Sequence, residues 1–309
     1  MINIRNLFAA LSGLFITFNL YAQNTPFDSI PFELGADHRI YIDCKVNGSS
    51  PLRFLFDTGA TDWVINHNSP RSTYPVTFDG TVDNNGATGS NRVAKSSCNR
   101  FETGHRVLEN MFLVSIPYPP EFLDGVAGLS FIGRQVTEID YKKRKIYLYD
   151  ADHYLPSRQA IKLKVKFVMG VPVVPVRLVI NGKKYDTKLE IDTGSDRVID
   201  LNTPFVRQHK LLGTQQPFAL SRITSSDTYG GVLENVYFDE VCLGDYPFVR
   251  IPGAFSTVVS GVQSSSEMDG VIGNNFLKRF NMVCDFTHGF VYLSPNDLLY
   301  SPFYDFLVR

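Results

Sequence analysis

The chain has 309 residues, 44% of them apolar and 20% charged, so it can bury a substantial core and is long enough for two domains or two lobes. A formal net charge of -1 and a pI near 6.6 remove the electrostatic reason to expect nucleic acid, whose binding depends on neutralising phosphates. The four cysteines lack CxxC spacing and the six histidines lack H-E-x-x-H spacing, so no metal and no cofactor is expected.

Residues 1–22 combine Arg5 with an apolar stretch over residues 7–20 and end on Tyr21 and Ala22. This is the pattern of a secretory signal peptide, and the apolar stretch is short for a membrane span. Export to the periplasm or the medium is the expectation, with no membrane span after cleavage near Ala22. An oxidising address would permit bridges among Cys44, Cys98, Cys242 and Cys284, two in each half. They do not occupy matching positions, and a cysteine in an apolar strand is commonly just a small buried side chain. Both readings stay open.

Residues 31–46 alternate apolar and polar side chains with a period near two, and Asn47 and Gly48 supply a turn before the strand that leads to Asp57. That strand carries Phe54-Leu55-Phe56-Asp57-Thr58-Gly59-Ala60, followed by Asp62, Val64 and Ile65. Residues 79–91 are crowded with Gly, Asn, Thr and Asp and read as a mobile hairpin tip. Residues 131–136 are a candidate short helix, and the basic run 142–145 reads as a solvated hairpin turn.

The second half repeats the plan. Residues 173–180 form a β-rich run, whose start Pro172 and Pro175 mark as an edge or irregular strand. Asn181 and Gly182 make the turn, and residues 185–191 lead into Leu189-Glu190-Ile191-Asp192-Thr193-Gly194-Ser195, followed by Asp196, Val198 and Ile199. Residues 224–231 form the equivalent hairpin tip before the apolar run 232–243. Residues 274–280 are the other candidate short helix. The fold class is mainly β.

The likeness of the halves is a duplication, because several features stay in step. The Asp-Thr-Gly copies lie 135 residues apart. Asp124-Gly125-Val126-Ala127-Gly128 matches Asp269-Gly270-Val271-Ile272-Gly273, Asp140 matches Asp285, and Tyr147 matches Tyr292, each at an offset of 145. The additional residues of the second half are assigned to the serine-rich segment 256–266, read as a surface loop.

Two aspartates at equivalent places in two similar lobes can meet across a pseudo-two-fold axis, where both cannot easily ionise and one proton is shared. Such a pair can deprotonate a water with one carboxylate and protonate a carbonyl oxygen with the other. Thr58 and Thr193 offer hydroxyls to lock the loops together, while Gly59 and Gly194 admit backbone close to the carboxylates. Ser195 is expected to donate a hydroxyl hydrogen bond to its carboxylate, which Ala60 cannot do. A lone Asp-Thr-Gly would more often be a tight turn after a strand; two copies in step are specific.

These residues resemble the aspartic peptidases that share Asp-Thr-Gly-Ala/Ser, pepsin-like and retropepsin-like, and are nearest to exported bacterial proteins with two retropepsin-like units in one chain. The resemblance covers roughly residues 40–293, and Val126-Ala127-Gly128 and Val271-Ile272-Gly273 fit the family's second motif, which threads behind each catalytic loop. It implies a bilobal acid-protease fold, with pseudo-symmetric β-barrel-like lobes at residues 24–150 and 160–309 flanking a cleft. It further implies endopeptidase activity on a peptide or protein substrate, with Asp57 and Asp192 catalytic and a monomer sufficient. Pepsin-like enzymes carry a flap tyrosine before glycine in the first lobe; here Tyr229-Gly230-Gly231 lies in the second. The other-class alternative is a β-rich peptide-binding module that keeps the cleft without turnover.

Overall fold

Asn47 and Gly48 take φ of 49° and 81°, and Asn181 and Gly182 take 52° and 72°. Two consecutive left-handed residues match the twist of flanking strands, so each pair closes a tight antiparallel hairpin. The first joins Ile40–Val46 to Leu52–Phe56, and the second joins Val171–Ile180 to Lys183–Asp192. The computed structural model describes residues 24–71, 75–227 and 229–303. The expected signal peptide lies outside them.

Each hairpin seeds an eight-stranded sheet. The first runs in the order Glu33–Leu34, Ile40–Val46, Leu52–Phe56, Gly125–Ala127, Trp63–Asn66, Arg106–Ile116, Ser90–Thr103, Gly80–Asn85. The second repeats that order with Lys166–Val168, Val171–Ile180, Lys183–Asp192, Gly270–Gly273, Ile199–Leu201, Tyr246–Ser256, Gly230–Leu243 and Ala219–Thr224. In both, the strand bearing Asp-Thr-Gly runs parallel to the short strand of the glycine motif.

A six-stranded sheet draws on both halves: Asp28–Pro31, Lys145–Tyr149 and Val136–Asp140 from one, Phe280–Asp285, Phe290–Pro295 and Ile161–Lys164 from the other. At its centre Glu138 stands opposite Val283, its own counterpart at the 145-residue offset. The local two-fold therefore passes between these two residues. The first-half core is aromatic, with Trp63 stacked on Phe101 at 4.0 Å between ring centres and edge-on to Phe54 and Phe131. Phe248, Phe276 and Phe280 do the same work in the second half.

The repeated aspartates outside the Asp-Thr-Gly copies are structural. Asp124 accepts from the Arg53 N–H at 2.6 Å and Asp269 from the Lys188 N–H at 2.8 Å, pinning the ends of the paired parallel strands. Asp140 and Asp285 accept from the Lys143 and His288 N–H groups and close equivalent turns. The basic run sits in the first of these turns, with Lys142 paired to Asp297 and Lys143 to Asp140.

Several local expectations differ from the structure. At the two candidate segments the helices are Leu129–Ile132 and Asn274–Leu277, and Val136 and Phe280 already begin strands, because sheet pairing overrides the weak helical preference of these segments. A third helix, Thr203–Gln208, escaped the sequence reading although Pro204 stands at its first turn. Pro175 lies where Val171–Ile180 is paired on one side only, between its pairings with Lys166–Val168 and with Gly230–Leu243. Segment 256–266 is not a plain surface loop: Ser256, Val258 and Gln263 are buried, and it carries a docking ledge described below. The four cysteines are unbridged.

Candidate active site

The hydroxyls of Thr58 and Thr193 tie the two loops reciprocally. Thr58 Oγ1 donates to the Ile191 carbonyl at 2.6 Å and accepts from the Thr193 N–H at 3.0 Å. Thr193 Oγ1 donates to the Phe56 carbonyl at 2.9 Å and accepts from the Thr58 N–H at 3.0 Å. Both threonines are fully buried, so each group would be costly to leave unpaired.

This lock brings Asp57 and Asp192 into hydrogen-bond contact. Each carboxylate is cradled by its own loop: Asp57 accepts from the Gly59 N–H at 2.7 Å and from the Ala60 N–H. Asp192 accepts from the Gly194 N–H at 2.8 Å and the Ser195 N–H at 3.0 Å. The glycines are needed for close approach. A Cβ on Gly59 would lie 2.7 Å from the Asp192 carboxyl carbon, and one on Gly194 would press closer still on Asp57.

The glycine motifs run behind the loops, as the resemblance implied. Asp57 N–H donates to the Ala127 carbonyl, and Leu129 N–H to the Ala60 carbonyl at 2.8 Å. In the other half Gly273 N–H donates to Val198 and Asn274 N–H to the Ser195 carbonyl at 2.8 Å. One expectation changes: the Ser195 hydroxyl accepts from the Arg197 N–H, and it is the Ser195 backbone that meets the carboxylate. Ala60 supplies the same backbone donor, so the hydroxyl creates no asymmetry here.

The asymmetry comes from residues the sequence reading passed over. Burial raises the proton affinity of Asp57, and hydrogen bonds together with the Arg39 charge oppose that rise. Arg39 is held by Asp37 at 2.6 Å, lies over the Phe122 ring and donates to the Gly194 carbonyl at 3.4 Å. Asp192 is raised further, by burial, by repulsion from Asp57 and by repulsion from Glu190. Glu190 stands two residues earlier on the same face of its strand, where the first copy has Leu55. Its acid amid apolar neighbours was the available signal.

The two hairpin tips meet each other. Asp227, fully buried, accepts from the Thr88 N–H at 2.9 Å, the Thr88 hydroxyl at 2.7 Å and the Gly89 N–H at 3.0 Å. The ledge of segment 256–266 adds Val262 N–H to the Gly86 carbonyl at 2.9 Å and Gln263 N–H to the Ala87 carbonyl at 3.0 Å. Tyr229 lies against Gly89. The matching hairpins at Gly104 and Gly244 lie 140 residues apart, so the expected placement of the surplus is corrected: only about half of it falls in the segment that seats the first-half tip, and the rest precedes it, around the helix Thr203–Gln208.

Among the described residues no group of three or more His, Cys, Asp or Glu could hold a metal ion. The aspartyl protease family model matches residues 42–133, the stretch from the first hairpin strand through the first Asp-Thr-Gly copy and its glycine motif. The match supports a protease of the aspartyl class at a coarse level. No curated protein matches the chain.

Proposed function

We propose that the chain is an exported aspartic endopeptidase of the bilobal, two-unit kind, cleaving internal bonds of an extended peptide held between the halves. The observation that carries this reading is the pair of mutually hydrogen-bonded carboxyls, each delivered by an Asp-Thr-Gly copy and each cradled by two backbone N–H groups. Asp57, with Arg39 near, is the better anion and takes the proton of the attacking water. Asp192, beside Glu190, holds its proton and gives it to the substrate carbonyl oxygen. The pair titrates as a unit, and turnover needs its singly protonated form. Both aspartates come from one chain, so a monomer suffices.

Substrate entry requires the hairpin tips to part and then close over the peptide. The test is incubation of the mature protein with a diverse peptide pool over a pH series, with a statine-type inhibitor or a chelator. Internal cleavage blocked by the inhibitor and indifferent to the chelator is the expected result. Cleavage abolished by the chelator and untouched by the inhibitor overturns the mechanism. Inhibitor binding without cleavage favours a peptide-binding module instead.

A further inference from the structure

Glu190 is 5% exposed, yet among the described residues no hydrogen bond or ion pair reaches its carboxyl. Its oxygens are also absent from the buried polar atoms that are sealed off without a partner, so the carboxyl keeps a little accessible surface. Oε1 stands 2.9 Å from where a Cβ on Gly59 would be, which sets the carboxyl beside the catalytic loop of the opposite half. The charged groups acting with it are the acids Asp57 and Asp192, while Arg39, the cation acting on Asp57, is engaged by Asp37. A buried carboxyl among other acids is costly unless a cation joins it.

Its sheet neighbours are apolar. Glu190 stands opposite Val173 on one side and Val271 on the other. Val173 continues into a patch with Val171, Met268 and Leu129. An aliphatic stem could lie along this wall with its charged head at the carboxyl. At the matching place in the first half, Leu55 packs with Tyr41, Val64 and Val126 in a purely apolar patch.

We propose that Glu190 is the specificity-determining residue of the cleft, receiving the lysine or arginine side chain of one of the two substrate residues that flank the scissile bond, while the Leu55 side takes an apolar one. This rests on the reading of the cleft as a peptide site. Burial and the Asp57 charge push the Glu190 carboxyl up to about 8, so a bound cation displaces its proton. The preference for a cation therefore carries proton release at acidic pH.

The test uses peptides in which a hydroxyethylene group replaces the scissile bond, with lysine or norleucine at each flanking position. Calorimetry in two buffers of different ionisation heat measures binding to the wild-type chain, Glu190→Gln and Glu190→Leu, with thermal melts to verify folding. We expect lysine to be favoured over norleucine by at least about tenfold at one position, with proton uptake by the buffer. Both effects should vanish in Glu190→Gln, and Glu190→Leu should favour norleucine. The proposal is overturned if no position favours lysine, if the preference survives in Glu190→Gln, or if no analogue binds. Cleavage of ordinary peptides is followed in parallel: a Glu190-dependent lysine preference without any turnover keeps the cation pocket and retires the peptidase reading.

Discussion

At the scale of single residues, the dyad and its third acid make separable predictions. Asp57→Asn and Asp192→Asn should each remove nearly all turnover of a cleavable peptide, and the double variant should be little worse than either, because each single change already abolishes the shared proton. Both should remain folded, since asparagine keeps the shape and relieves repulsion. A folded single variant with substantial activity would defeat the mechanism. Glu190 acts on stability as well. It keeps its proton to about pH 8 in the folded chain against 4.5 for an ordinary glutamate, so folding takes up a proton between these limits. Its contribution is complete below the lower value and is lost as pH rises through the upper one, by at most about 5 kcal/mol. Melting temperature should therefore fall from about pH 5 to about pH 8 in the wild type, and Glu190→Gln should flatten that slope.

At the scale of elements, the threonine lock ties the two Asp-Thr-Gly loops together and the hairpin latch ties the two tips together. Thr58→Val removes one buried donor and one buried acceptor at once, orphaning the Ile191 carbonyl and the Thr193 N–H. Each orphan costs roughly 1–3 kcal/mol, so urea unfolding should report a loss of about 2–6 kcal/mol together with reduced turnover. The latch depends on Asp227. Burial raises its proton affinity, but hydrogen bonds from Ser225 and Thr88 outweigh this and hold it below 3.8. The latch is thus present above that value and lost as pH falls through the depressed one. In Asp227→Ala the Thr88 and Gly89 amides lose their acceptor, and their hydrogen exchange should accelerate by about tenfold or more while strand amides nearby stay protected. Unchanged exchange would mean the ledge alone holds the tip.

At the scale of the whole molecule, the six-stranded sheet makes the halves one cooperative unit. Its central pairing of Val136–Asp140 with Phe280–Asp285 cannot survive the melting of either half. The single tryptophan, Trp63, is fully buried in the first-half core and reports on that half alone, whereas far-ultraviolet circular dichroism reports on all the strands. The two signals should give one coincident thermal transition. An early tryptophan transition would show the halves melting independently.

The sequence by itself determined the strand content, the two asparagine-glycine turns and the duplication, because these rest on local dihedral preference and side-chain periodicity, which neighbours in the chain decide. It also singled out Asp57 and Asp192, since a carboxylate, hydroxyl and glycine in fixed order recur in step with a second motif. Tertiary structure alone decided that the Ser195 backbone rather than its hydroxyl meets the carboxylate, that segment 256–266 seats a hairpin tip, and that Arg39 acts on Asp57 while Glu190 acts on Asp192. Those outcomes depend on which groups from distant parts of the chain come within a few ångströms after desolvation, and a spacing along one strand carries no record of what the rest of the chain will bring against it.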